Sequence, residues 1–153
     1  MRKPNWRIST RLAATLLVAA LCGAASAQPE IVGPIQKAPL DQTVTADKVE
    51  VACTGIGANA RDDPRWKAFP VRVEFAAPNG DYFSDEIVSL STAAGEHLIT
   101  VACEGPWVLL KLPAGRYTIA ARLNDVAAKT ETATFSPPRS GQKLVMIHFP
   151  DAG

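Results

Sequence analysis

The stretch GPWVLLKLPAGRYTI, residues 105–119, decides the fold of this chain. An apolar run leads into a turn that contains Pro113 and Gly115, and Tyr117 follows two residues past the glycine. In β-sandwiches a tyrosine just past such a turn can bond through its hydroxyl to upstream backbone and close a corner between the sheets. We therefore expect a structural corner made by Trp107, Pro113, Gly115 and Tyr117, and we prefer it to a ligand platform.

Outward from this stretch, short segments with strand character recur along the chain. Apolar residues alternate with polar ones in segments such as KVEVAC and VRVEF, and glycine, proline and asparagine turns separate them. No long helical period occurs. The pattern predicts an all-β domain over 48–150, an antiparallel Greek-key-type β-sandwich of about seven or eight strands. Residues 28–47 contain three prolines and no sustained period, so we expect an extended segment that leads into the domain.

A family resemblance rests on the same stretch. The pattern G-x-W-x-L-x-x-L-P-A-G-x-Y-x-I in 105–119 resembles the signature G-x-F-x-F-x-x-L-P-P-G-x-Y-x-L of carboxypeptidase regulatory-like domains. These are prealbumin-like (transthyretin-like) β-sandwiches, so the resemblance implies that fold and a non-catalytic accessory role. The chain departs from the family at 101–105, which reads V-A-C-E-G where the family has T-D-x-x-G, and the long connection 54–68 is an addition.

The first 27 residues have the layout of a signal peptide. Four basic residues precede a 14-residue apolar run, 12–25, which leads into the cleavage motif Ala25-Ser26-Ala27. That run is too short to span a bilayer, which takes about 20 residues. We expect cleavage after Ala27, no membrane span in the mature protein, and a periplasmic or secreted location. The leader holds four of the 16 basic residues and no acidic one, which leaves 12 against 15 and disfavours nucleic acid as a partner.

Two cysteines remain after the leader is removed. Cys53 and Cys103 each end a strand-like segment just before a glycine turn, and an even number of cysteines in an exported chain favours a disulfide bond. The alternative is a pair of buried free thiols.

Side chains that could carry chemistry are sparse. Met146 and His148 share a strand face and could bind a soft metal ion, although surface packing is the simpler interpretation; His97 stands apart from both. Asp81, Asp85 and Glu86 could serve calcium, but they lack the spacing of a known loop and are better explained as a solvated turn. We therefore expect no metal, no cofactor, no catalytic residues and no enzymatic activity.

The connection 54–68 is long and has no alternation, which is typical of functional or disordered loops. Within it, Asp63 and Pro64 can start one helical turn. Arg61, Arg65 and Trp66 are candidates for a partner-binding loop, because arginine and tryptophan are enriched at interface centres. Alternatively, Trp66 folds back onto the sandwich and the arginines pair with the two neighbouring aspartates.

These observations predict an exported, non-catalytic accessory or binding module that is protein-interacting or structural, with an unidentified protein or glycan partner. One alternative is a carbohydrate-binding sandwich that uses exposed Trp66 and Trp107. A small periplasmic enzyme is the last alternative. A shared exposed tryptophan platform would favour the sugar.

Overall fold

A computed structural model describes residues 30–124 and 129–150 of the chain. The expected signal peptide, 1–27, lies outside the described residues. Ten strands form two five-stranded sheets, with a short helical segment between the third and fourth strands. The strands are β1 (Ile35–Ala38), β2 (Gln42–Ala46), β3 (Val49–Thr54), β4 (Val71–Ala76), β5 (Glu86–Thr92), β6 (His97–Cys103), β7 (Trp107–Lys111), β8 (Tyr117–Leu123), β9 (Glu131–Phe135) and β10 (Lys143–His148). The helical segment comprises α1 (Ala58–Asp62) and a 3-10 helix (Pro64–Ala68).

The two sheets pack as a sandwich, which confirms the predicted fold class. Sheet I has the order β1-β6-β5-β8-β9, and sheet II has the order β10-β4-β7-β3-β2. The interior pairs are antiparallel, but β1 pairs with β6, and β10 with β4, in parallel. The structure therefore has more strands than the predicted seven or eight, and two of its edge pairs depart from a wholly antiparallel arrangement.

Both additional strands lie in the segment 28–47, so the sandwich begins at Ile35 and not at residue 48. Most side chains of β1 and β2 are exposed, because edge strands cover little of the core, and alternation therefore could not reveal them. Hydrogen bonds connect this segment to a strand of each sheet. The hydroxyl of Thr100 donates to the carbonyl of Val32, and the hydroxyl of Thr54 donates to Asp41 Oδ1 at 2.5 Å.

Alternating residues of both sheets fill the space between them. On β4 the inward side chains are Val71, Val73 and Phe75, and each has no exposed surface. On β8 the inward face starts at Tyr117 and continues through Ile119 to Leu123, as the period of two predicts. Each such side chain stabilises the fold by roughly 1.5–3 kcal/mol when it leaves water.

A disulfide bond joins the sheets at one end of the sandwich. Cys53 of β3 lies in sheet II, Cys103 of β6 lies in sheet I, and their Cα atoms are 5.5 Å apart. The predicted bridge is therefore confirmed. In the chain-entropy account, a link across a separation of 50 residues stabilises the folded state by roughly 4 kcal/mol.

The corner lies at the other end. The hydroxyl of Tyr117 donates to the carbonyl of Pro113 at 2.9 Å, and its ring stacks on Phe135 with centroids 6.0 Å apart. A Cβ at Gly115 would lie 3.2 Å from the tyrosine ring, a tight approach that glycine relieves. Trp107 takes no part in this corner, contrary to the prediction.

Trp107 projects from the outer face of sheet II, because Val108 and Leu110 are the residues of β7 that face the core. The sequence WVLLKL is apolar in both phases of the alternation, so the sequence could not show which phase points inward.

Glu86 lies in the core. It shares the inward face of β5 with Val88 and Leu90, it is fully buried, and its two carboxyl oxygens have no hydrogen-bond partner among the described residues. Burial raises the pKa of the carboxyl to about 8, and the nearby charge of Asp85 adds to the shift. The predicted solvated turn is therefore wrong for Glu86, whose strand pairings with Cys103 and Leu123 draw it inside.

Candidate functional site

The helical segment 58–68 covers part of the outer face of sheet II, and Trp66 attaches it there. The side chain of Trp66 is only 5% exposed and packs with Ala52, Leu109 and Phe69. Its indole Nε1–H donates to the carbonyl of Ala60 at 2.8 Å. Trp66 is therefore a packing residue, and its prediction as a partner-binding side chain is wrong. An isolated tryptophan in an aperiodic segment has no phase from which burial could be predicted.

Arg65 is held within its own turn. Asp63 caps the 3-10 helix by accepting from the Arg65 backbone N–H at 2.9 Å, and the Arg65 guanidinium binds the same carboxylate at 2.7–2.8 Å. Hydrogen bonds from Arg65 lower the pKa of Asp63. The guanidinium also lies 4.7 Å from the centroid of the Trp66 ring. Arg65 thus pairs with an aspartate as the packing alternative expected, through its Nε and one terminal nitrogen.

Arg61 has a different environment. Its Nε–H donates to the carbonyl of Gly55 at 2.9 Å, and its guanidinium carbon lies 6.0 Å from the centroid of the Trp107 ring. The side chain is otherwise exposed. Of the two loop arginines that the sequence singled out, Arg61 is the one whose terminal nitrogens form no hydrogen bond or ion pair within the described residues.

Trp107 is half-buried and has neighbours against its ring. The Arg72 guanidinium lies 4.4 Å from the ring centroid. Gly55 approaches so closely that a Cβ there would lie 2.8 Å from the indole, and its φ of +96° also favours glycine. The close approach of Gly55 and the stacked arginine hold the indole in place.

Two adjoining cavities meet at Arg61 and Trp107, and we call them together the Trp107 groove. The larger, about 490 Å³, is lined by Arg61, Asp62, Asp63, Trp66, Lys67, Arg72, Trp107, Leu109, Gly141 and Gln142. The smaller, about 200 Å³, is lined by Arg61, Glu74, Tyr82, Pro106 and Trp107. Tyr82 is 60% exposed, which is high for a large aromatic side chain.

The walls of the groove are fixed by hydrogen bonds and by an ion pair. Gln142 donates through Nε2 to the carbonyls of Trp66 and Phe69 at 3.1 and 2.9 Å, which joins the last loop to the helical segment. Beneath the smaller cavity, Arg72 Nε lies 2.8 Å from Glu74 Oε1, and Glu74 is buried. The groove therefore offers aromatic surface and guanidinium donors on a rigid sheet, which is an arrangement suited to binding.

Sequence reasoning missed Arg72, Glu74 and Tyr82 as members of this site. Arg72 and Glu74 were visible as the polar phase of VRVEF, and the polar phase of a strand marks the outer face of its sheet. That phase could have indicated a charged outer surface. Their meeting with Trp107 depends on the pairing of β4 with β7, which no local pattern encodes.

A third cavity, of about 610 Å³, opens at the corner end of the sandwich. Its lining includes Val49, Leu98 and Tyr117, with Lys48 and Glu96 also present. The hydroxyl of Tyr117 is already bonded to Pro113 there, and this lining holds no arginine or tryptophan. Its size alone indicates no ligand chemistry.

The remaining sequence candidates do not converge. His97 lies 2.9 Å through Nε2 from the hydroxyl of Thr100, whereas His148 is exposed on the edge strand β10. In the ranges 30–124 and 129–150, no three histidine, cysteine, aspartate or glutamate side chains lie together as a metal site would require. The described part of the chain also contains no helix of the length and hydrophobicity needed to cross a membrane.

The described chain is thus a β-sandwich with a groove on the outer face of one sheet. No protein-family model and no curated protein matches it. Among solved structures it is similar to Klebsiella pneumoniae 5-hydroxyisourate hydrolase, with 18% sequence identity and a TM-score of 0.40. The alignment covers 54% of this chain and 90% of that chain. At this level the likeness concerns the fold alone, and we draw no activity from it.

Proposed function

We propose that this chain is an exported, non-catalytic binding module of the prealbumin-like type, which recognises a protein partner through the Trp107 groove. One observation carries the proposal: Arg61, Arg72, Trp107 and Tyr82 come together around one concave surface. Arginine, tryptophan and tyrosine supply most of the energy in protein interfaces, because they combine large rigid area with directed polar groups.

The support beneath the groove favours affinity. Trp107 and Arg72 lie on adjacent strands, and the helical segment is fastened by buried Trp66 and by Gln142. Each cysteine of the disulfide bond lies two residues before a glycine, Cys53 before Gly55 and Cys103 before Gly105. A surface that is already ordered loses little conformational entropy when a partner binds. The disulfide also supports export, because such bonds persist in oxidising compartments.

The carbohydrate alternative fits this geometry less well. Sugar rings stack on free aromatic faces, whereas Trp66 is buried and Trp107 has Arg72 and Gly55 against its ring. Of the three aromatic side chains that line the groove, Tyr82 alone is largely exposed. A single exposed tyrosine beside two guanidinium groups favours a protein surface over a glycan.

Photo-crosslinking in periplasmic extract tests the proposal, because the crosslinking residue can be placed inside or outside the groove. The protein carries a photo-crosslinking phenylalanine analogue at Tyr82, or at Arg116 on the corner as a control. We expect one protein to be crosslinked from position 82 and not from position 116. The same protein should be lost when Arg61→Ala is added and retained when Arg139→Ala is added. Equal crosslinking from both positions, or retention in Arg61→Ala, contradicts the proposal.

A further inference from the structure

We propose that the Trp107 groove seats a carboxylate of its partner, so that the recognised segment is an acidic peptide with an apolar residue beside the acid. This inference rests on the proposed function and adds the chemistry of the ligand. The observations that carry it are the unused donors, the uncompensated charges, the restricted arginine side chains and the two-part shape of the groove.

The first observation is that two guanidinium groups beside one indole keep their terminal donors. Arg61 uses Nε–H for the Gly55 carbonyl, and Arg72 places Nε beside Glu74. No hydrogen bond within the described residues takes the terminal nitrogens of either side chain. Paired terminal N–H groups of arginine match the two oxygens of a carboxylate, and such charge-assisted bonds are stronger than bonds between neutral groups.

The second observation is the charge balance. Three cations and three anions line the two cavities: Arg61, Lys67 and Arg72 against Asp62, Asp63 and Glu74. Arg65 binds Asp63, and Arg72 binds Glu74. Arg61 and Lys67 then face Asp62 alone, and none of these three forms an ion pair within the described chain. One added carboxylate balances the groove, whereas an added ammonium group would have to compete with both cations.

The third observation is that the cations are positioned before the ligand arrives. The guanidinium carbons of Arg61 and Arg72 lie 6.0 and 4.4 Å from the same indole centroid. Contact with the aromatic ring restricts both side chains. The hydrogen bond of Arg61 Nε to Gly55 and the ion pair of Arg72 Nε with Glu74 restrict them further. A carboxylate therefore meets donors whose rotamers are already restricted, and this lowers the entropic cost of binding.

The fourth observation sets the neighbour of the acid. The 200 Å³ cavity continues from the larger one across Arg61 and Trp107, and its outer lining is Tyr82 and Pro106. These side chains present apolar surface to the residue that follows or precedes the bound acid. A segment of a few residues spans both cavities, which favours a peptide over a small free carboxylate.

NMR titration of the purified protein tests the inference. The probe is the acetylated and amidated peptide Gly-Glu-Phe-Gly; the controls are Gly-Gln-Phe-Gly and sodium acetate. We expect the glutamate peptide to shift the Nε–H signals of Arg61 and Arg72 and the Trp107 indole signal. The glutamine peptide and acetate should each bind at least about tenfold more weakly. Arg61→Ala should weaken the glutamate peptide by a similar factor, whereas Arg116→Ala should leave it unchanged.

Equal binding of the glutamate and glutamine peptides overturns the carboxylate seat, and equal binding of acetate overturns its peptide character. Shifts that centre on other residues overturn the location. The combined outcomes distinguish a failure of this inference from a failure of the proposed function. Groove-dependent capture of a protein without binding of the glutamate peptide refutes this inference alone. Binding of the peptide without groove-dependent capture refutes the proposed function but supports the carboxylate site.

Discussion

The corner at 113–117 and the helical segment at 58–68 differ in the source of their contacts. In the corner, the hydroxyl of Tyr117 reaches Pro113, only four residues upstream. In the segment, Trp66 packs against Leu109 of β7, and Gln142 fixes it from the last loop. A contact between residues close in the sequence can be predicted from their spacing. A contact between distant residues depends on which strands become neighbours.

This difference explains why the sequence misassigned both tryptophans. Trp66 lies in an aperiodic loop and is buried, whereas Trp107 lies in a regular strand and contributes to a groove. Both side chains lie on the outer face of sheet II, so their exposure depends on how much of that face the helical segment covers and not on the element type. A long loop can therefore cover one part of a sheet while its ends leave another part open.

The largest expected effect is that of removing the contact that fastens the segment. We expect Trp66→Ala to lower the free energy of unfolding by about 3–5 kcal/mol, because it leaves a cavity and removes the bond to Ala60. Urea unfolding measures this, and the exposed neighbour substitution Ala68→Ser serves as the control. A loss below about 1 kcal/mol would place Trp66 among ordinary surface residues.

Glu86 sharpens the comparison because distant strands also set its environment. Its folded pKa, about 8, lies above the ordinary value of 4.5, so the unfolded chain loses the proton first as the pH rises. The contribution of Glu86 to stability is therefore greatest below pH 4.5 and falls as the pH approaches 8. Between pH 4.5 and about pH 7 the expected loss is about 3 kcal/mol relative to Glu86→Gln, whose residue does not titrate.

Unfolding of both proteins by urea across this pH range gives the difference directly. Using the difference cancels the contributions of all other titrating groups. Parallel stability curves for the wild type and Glu86→Gln would show that the carboxyl is hydrated in the folded protein.

The corner is expected to have a smaller effect. Tyr117→Phe should lower the free energy of unfolding by about 1–3 kcal/mol, because it leaves the Pro113 carbonyl without its donor. Tyr82→Phe removes the hydroxyl of an exposed tyrosine and should change nothing, which makes it the matched control. Equal melting midpoints for wild type and Tyr117→Phe would contradict the corner.

Arg65 should give the smallest effect. Its ion pair with Asp63 lies at the surface, where solvent screens the attraction, so Arg65→Ala should leave the unfolding free energy unchanged within error. It should also keep the captured partner that Arg61→Ala loses, because Arg65 is paired with Asp63 and does not line the groove. Loss of the partner in Arg65→Ala would move the interface onto the 3-10 helix.

Prediction from the sequence succeeded where chemistry is local or periodic. The sandwich follows from alternation, the disulfide from two cysteines before glycine turns, and the helical cap from Asp63 followed by Pro64. The edge strands β1 and β2 were not predicted, because their side chains are mostly exposed. The groove was not predicted, because Arg72 contacts Trp107 only through the pairing of β4 with β7. That pairing is a property of the whole fold.

Hydrogen–deuterium exchange of the Trp66 and Trp107 indole N–H groups tests the central claim most directly, with NMR signals assigned through Trp66→Phe and Trp107→Phe. In our account Trp66 fastens the segment and Trp107 contributes to the open groove. The Trp66 indole, buried and bonded to Ala60, should exchange far more slowly than the half-buried Trp107 indole. Equal rates, or slower exchange at Trp107, would contradict this assignment of packing and binding roles.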